Sequence, residues 1–190
     1  MAPYFEEMKR RLARLLLEKS YREGDFVLAS GRKSSFYFDG RQTSLHPEGA
    51  WLIGHLFNYV IAQIPGVEAV GGPTLGADPL VSATSVISYM MERPLPGVLV
   101  RKAPKAHGTK QYLEGTFNLR PGARVAMLED SVTTGGSVLT ACGHMEEAGY
   151  RIAAVLVLVD REEGAAEAIR GAGYEYYPLY GMKELLALAN

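Results

Sequence analysis

The chain of 190 residues has a single cysteine, Cys142, so no internal disulfide can staple it, and its place in an apolar helical pattern marks it as a small buried thiol. No apolar stretch is long enough to span a bilayer. The opening MAPYFEEMKRRLARLLLEK carries acids early and charges throughout, unlike a signal peptide, so the cytoplasm is the expected location. Neither sign of charge is in excess. With 20 Lys and Arg against 21 Asp and Glu the net charge is −1, which removes a general attraction to nucleic acid or an anionic membrane. G-x-G-x-x-G, a Walker lysine and G-x-S-x-G are all missing, so dinucleotide, ATPase and serine-hydrolase chemistry are unsupported. His46, His55 and His144 show no spacing with Cys, Asp or Glu that would make a zinc site. There is no repeat, low-complexity tract or long linker, and a single domain over residues 1–190 is expected.

What is present is an alternation of strands and helices. Phe5, Met8, Leu12, Leu15 and Leu16 follow helical spacing at the N-terminus. Phe26 to Ser30 and Ser35 to Asp39 read as a hairpin around Gly31 to Ser34. Pro47 to Ile64 reads as a helix, with Pro47 suited to its first position. Strands are predicted at Val67 to Val70, Gly97 to Val100, Arg124 to Leu128, Ile152 to Val159 and Tyr174 to Leu179. Helices are predicted at Pro79 to Met91, Gly136 to Gly149, Glu162 to Ala172 and Lys183 to Ala189. Strands rich in Val, Leu and Ile with little alternation imply a mostly parallel sheet covered by helices on both faces, an α/β fold. The hairpin does not fit that alternation and should form a small N-terminal hood, about residues 1–45, over the carboxyl ends of the strands. Ligands bind at those ends.

The most informative segment is Val125 to Ser137, V-A-M-L-E-D-S-V-T-T-G-G-S. A buried strand stops at two acids, a hydroxyl- and glycine-rich turn follows, and a helix starts. Loop N–H groups and the first N–H groups of the helix then converge on one place, where the helix dipole favours an anion. Glu129 and Asp130 cannot bind phosphate but could hold sugar hydroxyls or a metal-bound group. A phosphorylated ribose satisfies both halves.

Arg101 to Lys110, R-K-A-P-K-A-H-G-T-K, holds Arg101, Lys102, Lys105, His107 and Lys110 with no acid. A short basic run is usually solvated surface. This one leaves a buried strand and is followed by Gly108 and Gly115, which suits a mobile lid over a polyanion whose charge grows as it departs. Gly71 to Pro79 is equally readable as a ligand-approaching loop or as an ordinary strand-to-helix turn capped by Asp78. In the hairpin, the run Phe36, Tyr37, Phe38 sends aromatics to both faces, some to the core and some available to a planar ring. Arg161, in V-D-R-E-E, could fork onto a carboxylate or pair with Asp160, Glu162 or Glu163.

L-E-D-S-V-T-T-G-G-S resembles the phosphoribosyl-pyrophosphate signature of the type I phosphoribosyltransferases. With L-A-S-G-R-K-S-S-F-Y-F-D, R-K-A-P-K-A-H-G-T and V-D-R-E-E-G, in this order, nearly the whole chain resembles the orotate phosphoribosyltransferase family. The resemblance implies displacement of pyrophosphate by orotate at C1 of phosphoribosyl pyrophosphate (PRPP), giving orotidine 5′-phosphate in pyrimidine synthesis. It assigns PRPP to Arg101, Lys102, Lys105, His107 and the run Glu129, Asp130, Ser131, Val132, Thr133, Thr134, Gly135, Gly136 and Ser137. Within that set Glu129 and Asp130 hold the ribose, and Thr133 to Ser137 the 5′-phosphate. Lys105, His107 and Arg101 are the candidate catalytic residues. Orotate falls to Thr133, Arg161, Tyr37 and Phe38, with Arg161 on the carboxylate. Mg2+ is implied mainly on substrate oxygens and water, with no dedicated protein ligands. A homodimer is implied, its lid reaching the neighbouring subunit's site while Lys102 serves the opposite one. A non-proline cis bond near Thr74-Leu75 is expected. Ala29 and Leu75-Gly76 stand where some members carry lysines. A transferase for another base, or a PRPP-sensing regulator, would keep the cradle and change the rest.

Overall fold

The structure, a computed structural model, describes residues 3–27, 33–104 and 112–188. Its central sheet has six strands in the order β5-β4-β3-β6-β7-β8: Leu113–Glu114, Gly97–Val100, Ala69–Pro73, Arg124–Val132, Arg151–Asp160 and Tyr176–Gly181. All neighbours are parallel except β5, which lies antiparallel on β4. A separate antiparallel pair, β1 (Tyr21–Val27) with β2 (Lys33–Phe38), forms the hairpin of the hood.

The strands are buried because their faces are covered by two apolar layers. On one face Leu12 and Leu16 of α1 (Pro3–Lys19), Leu52, Ile53 and Phe57 of α3 (Pro47–Ile61) and Leu80 of α4 (Asp78–Met90) pack with Val70, Leu128 and Leu156. On the other, Val138, Cys142 and Met145 of α5 (Gly136–Glu147) and Ile169 of α6 (Ala165–Gly171) pack with Val125, Met127 and Val155. Side-chain alternation along β6 and β7 sends successive residues to opposite layers. The Tyr180 hydroxyl donates to the Lys9 carbonyl at 2.5 Å, tying β8 to α1. Helix α7 (Met182–Ala187) follows β8 directly.

Several boundaries differ from the expected ones, for physical reasons. β6 runs on to Val132, because β7 pairs with it as far as Val132 opposite Asp160; Glu129 and Asp130 therefore lie inside the strand rather than beyond it. β3 starts two residues later than expected and includes Gly71 to Pro73, which pair with β4. The helix expected from Glu162 starts at Ala165, since Glu162 and Gly164 have φ of 58° and 103°. β1 starts at Tyr21 in a polar stretch, where cross-strand contacts of Tyr21 with Phe36 and Phe26 with Tyr37 replace hydrophobic alternation. Residues 28–30 of the expected strand and residue 189 of the last helix lie outside the described residues. The short α2 (Arg41–Ser44), the two-residue β5 and a 3-10 turn at Thr116–Asn118 have too few residues to leave a periodic signal.

The connection order makes the site. From β3 the chain moves outward to β4, and β6 then returns to the other side of β3, so the crevice between the β3 and β6 ends is the topological switch point. Close packing of these strands depends on Gly72. A methyl there would overlap both the Leu128 carbonyl oxygen and Ala77 Cβ, neither of which can swing aside. Gly72→Ala should cost about 3 kcal/mol of stability through overpacking, read as a lower denaturation midpoint.

Candidate active site

The cradle is formed where β6 meets α5. After Val132 the chain turns through Thr133 and Thr134, and Gly135 takes φ 80°, a left-handed conformation that suits glycine. No side chain caps α5, so its first-turn N–H groups face outward without a local acceptor, at the positive end of the helix dipole. Thr134 and Ser137 are exposed beside them. This is a set of donors suited to a phosphate dianion.

The two acids sit just before the cradle and point to opposite faces of β6. Glu129 is only 6% exposed. Burial, reinforced by the neighbouring Asp130 charge, pushes its carboxyl up to about 8. Asp130 is also raised by burial, although Oδ1 accepts the Ser131 N–H at 2.7 Å. Asp130 is gripped between two glycines: a Cβ on Gly76 would lie 2.7 Å from its Oδ1, and one on Gly40 would lie 3.1 Å from its Cβ. The Arg41 charge counters the rise in Asp130, and Arg41 is itself clasped by Asp39, with Nε to Oδ1 at 2.8 Å and Nη2 to Oδ2 at 3.1 Å.

A cleft of about 470 Å³ brings these parts together. Of the residues expected from sequence, Tyr37, Phe38, Lys102 and the whole run Glu129 to Ser137 line it. Arg101 does not: its guanidinium turns to Glu114 at 3.2 Å and to the Ala103 carbonyl. Arg161 lies outside the lining too, over the Phe36 ring at 5.0 Å, with Nε 3.3 Å from Glu163. The expected Lys105, His107 and Lys110, like Ala29, fall outside the described residues. Sequence reasoning missed Asp39 and Arg41, which line the cleft, although they directly follow the aromatic run in F-D-G-R. Pro73 to Gly76, left evenly balanced between loop and site, line it as well, and the Thr74–Leu75 peptide bond is cis as expected.

No family model matches the chain. Named relatives do. It is 45% identical over 179 residues to the orotate phosphoribosyltransferase of a Nostoc species, covering 94% of this chain and 85% of that protein. It is 47% identical over 165 residues to the orotate phosphoribosyltransferase of Sorangium cellulosum, covering 87% and 86%. The chain belongs to the orotate phosphoribosyltransferase family. Its fold agrees with solved members of that family. The Mycobacterium tuberculosis orotate phosphoribosyltransferase, crystallised with 5-phospho-α-D-ribosyl 1-diphosphate, superposes with a TM-score of 0.78 at 35% identity, over 94% of this chain and 98% of that one. The adenine phosphoribosyltransferase of Trypanosoma brucei, at 17% identity and a TM-score of 0.67, shares the fold.

In this family member the buried acid pair has a consequence for the ligand-free protein. Glu129 titrates near its ordinary 4.5 when unfolded and about 8 when folded, so across that window the folded state holds more protons. Stability should therefore fall as pH rises through the window. Between about pH 6.5 and about pH 8.5 the wild type should lose several degrees of Tm relative to Glu129→Gln, measured by thermal melts without ligand. Parallel pH profiles for the two proteins would count against a buried, proton-holding Glu129.

Proposed function

We propose that the chain transfers the 5-phosphoribosyl group from PRPP to orotate, releasing pyrophosphate and forming orotidine 5′-phosphate, as a magnesium-dependent homodimer in the cytoplasm. The observation that carries the reading is one cleft joining an uncapped helix N-terminus, a buried acid pair, Lys102 and the aromatic hairpin. The cradle from Thr133 to Ser137 takes the 5′-phosphate. Glu129 and Asp130 accept from ribose hydroxyls, which returns polar partners to carboxyls that burial disfavours as ions. Tyr37, exposed, and Phe38, packed into the core beneath it, border the place of the planar base across from Thr133, and Arg161 meets its carboxylate.

Chemistry then asks little of the protein beyond geometry and charge. Cleavage of the C1–O bond runs ahead of attack by the orotate ring nitrogen, leaving an oxocarbenium-like sugar, so no covalent enzyme intermediate is needed. Holding both ends of PRPP fixes C1 against the base. Lys105, His107 and Arg101 neutralise the departing pyrophosphate and keep water from the activated sugar. The cleft is lined by Asp39, Glu129 and Asp130, whose hard carboxylate oxygens suit an ion carried mainly on substrate oxygens. Bound there, Mg2+ supplies charge neutralisation to the pyrophosphate.

Two observations support the shared lid and the dimer. Lys102 faces its own cleft while its neighbour Arg101 turns away towards Glu114, so adjacent residues address different directions. Val86, Tyr89 and Met90 on the outer side of α4, and Phe117 nearby in sequence to β5, are exposed apolar side chains of the kind a second copy covers.

With Mg2+ and PRPP, orotate should be consumed, and hypoxanthine, adenine and uracil should not; no loss of orotate would reject the assignment. Lys105→Ala should lower kcat about 10²- to 10³-fold without lowering Tm, because it removes a donor to developing charge. Mixing inactive Lys105→Ala and Asp130→Asn chains should restore activity, since one site of each mixed dimer is then intact. Mixed dimers that form and stay inactive would show that each lid serves its own subunit.

A further inference from the structure

The turn after β7 is built around two side chains that no role above uses, Asp160 and Tyr176, each only 6% exposed. The two oxygens of Asp160 have separate partners. Oδ1 accepts the Glu162 N–H at 2.7 Å, which folds the backbone around Arg161, the residue between them. Oδ2 accepts the Tyr176 hydroxyl at 2.8 Å, which anchors that fold to β8. Burial and this hydrogen bond push the Tyr176 phenol well up, so it remains a donor across the neutral range. Its ring is flanked by the Arg170 guanidinium at 5.5 Å. Beyond Arg161, Glu162 holds φ 58° and its carboxylate accepts the Lys183 N–H at 2.8 Å at the start of α7. The Arg161 N–H itself donates to the Val132 carbonyl at 2.9 Å, on the strand that carries the cradle.

The Arg161 side chain is confined on the same scale. Its guanidinium lies over Phe36 of the hood, and Nε, though 3.3 Å from Glu163, is buried without a hydrogen-bond partner. Ion-paired with Glu163 but without a hydrogen bond, Nε keeps donor capacity that a ligand carboxylate would take up. We propose that Asp160 and Tyr176 are positioning residues for base recognition, acting through Arg161 to aim its guanidinium at the carboxylate of orotate. This rests on the assignment of Arg161 to that carboxylate made above. A guanidinium reads a carboxylate only in a narrow, planar geometry, so a turn braced at both ends makes binding selective where a free surface arginine would not.

The test is a kinetic cycle of wild type, Tyr176→Phe, Arg161→Ala and the double variant, with orotate and PRPP varied separately and Tm recorded for each. Tyr176→Phe removes one hydroxyl and should raise the orotate KM about fivefold, leaving kcat and the PRPP KM within about twofold, because only ground-state binding of the base is weakened. In the Arg161→Ala background the same change should have no further effect on orotate, as expected for a residue acting through Arg161. If Arg161→Ala leaves the orotate KM unchanged, the carboxylate assignment fails and the proposal falls with it. If Arg161→Ala impairs orotate binding while Tyr176→Phe is silent, or the two effects simply add, the positioning role is overturned and the assignment stands. Should Tyr176→Phe not fold, Asp160→Asn, which keeps the shape and one acceptor, enters the same cycle with the same expected outcomes.

Discussion

The close approach of β3 and β6 at the switch point is the constraint on which the site depends. Two parallel strands must lie side by side with nothing between them at the level of Gly72 and Leu128, so that the loops leaving them share one crevice. The loop after β3 carries Thr74 to Gly76, and the turn after β6 carries the cradle. Everything else is placed around that pair: the hood sets Tyr37 and Phe38 above it, and β7 brings its terminal turn alongside. The apolar layers on both sheet faces hold the strands rigid, and the buried acids Glu129 and Asp160 lie towards the carboxyl ends of β6 and β7.

Within that frame the acid pair is the least comfortable feature. Carboxyls at the end of a buried strand are kept from water, and the Asp130 charge makes Glu129 harder still to ionise. The arrangement favours a ligand that brings hydroxyl donors or positive charge, and the uncapped donors of α5 await an anion a few residues later. A ligand carrying both hydroxyls and a phosphate would complete both sets at once, one acidic and one electropositive. A ligand offering only a phosphate, or only a sugar, would complete one.

Much of this was legible in the sequence. The central strands are almost purely Val, Leu, Ile and Ala, and the abrupt change at Glu129-Asp130 marks where the core ends, so both the parallel sheet and the cradle could be read directly. Residues whose roles come from tertiary placement were not. Asp39 and Arg41 form a local ion pair that looks like any surface pair until the hood folds over the cleft. Tyr176 looks like an ordinary strand aromatic until its hydroxyl meets Asp160. The extension of β6 past the acids could not be foreseen, because charged residues end most buried strands; here the partner strand β7 continues and carries the pairing with it.

The grip on Asp130 limits how this site could be re-engineered. Leu75 and Gly76 are adjacent, yet only one of them is open to change. Any side chain at Gly76 would push into the Asp130 carboxylate, whereas Leu75 is 67% exposed at the mouth of the cleft. A cation introduced to strengthen the hold on a polyphosphate therefore has a vacancy at position 75 and none at its neighbour. Charge around this cleft can be varied at position 75, but the Asp130 carboxylate favours glycine at the next step of the loop.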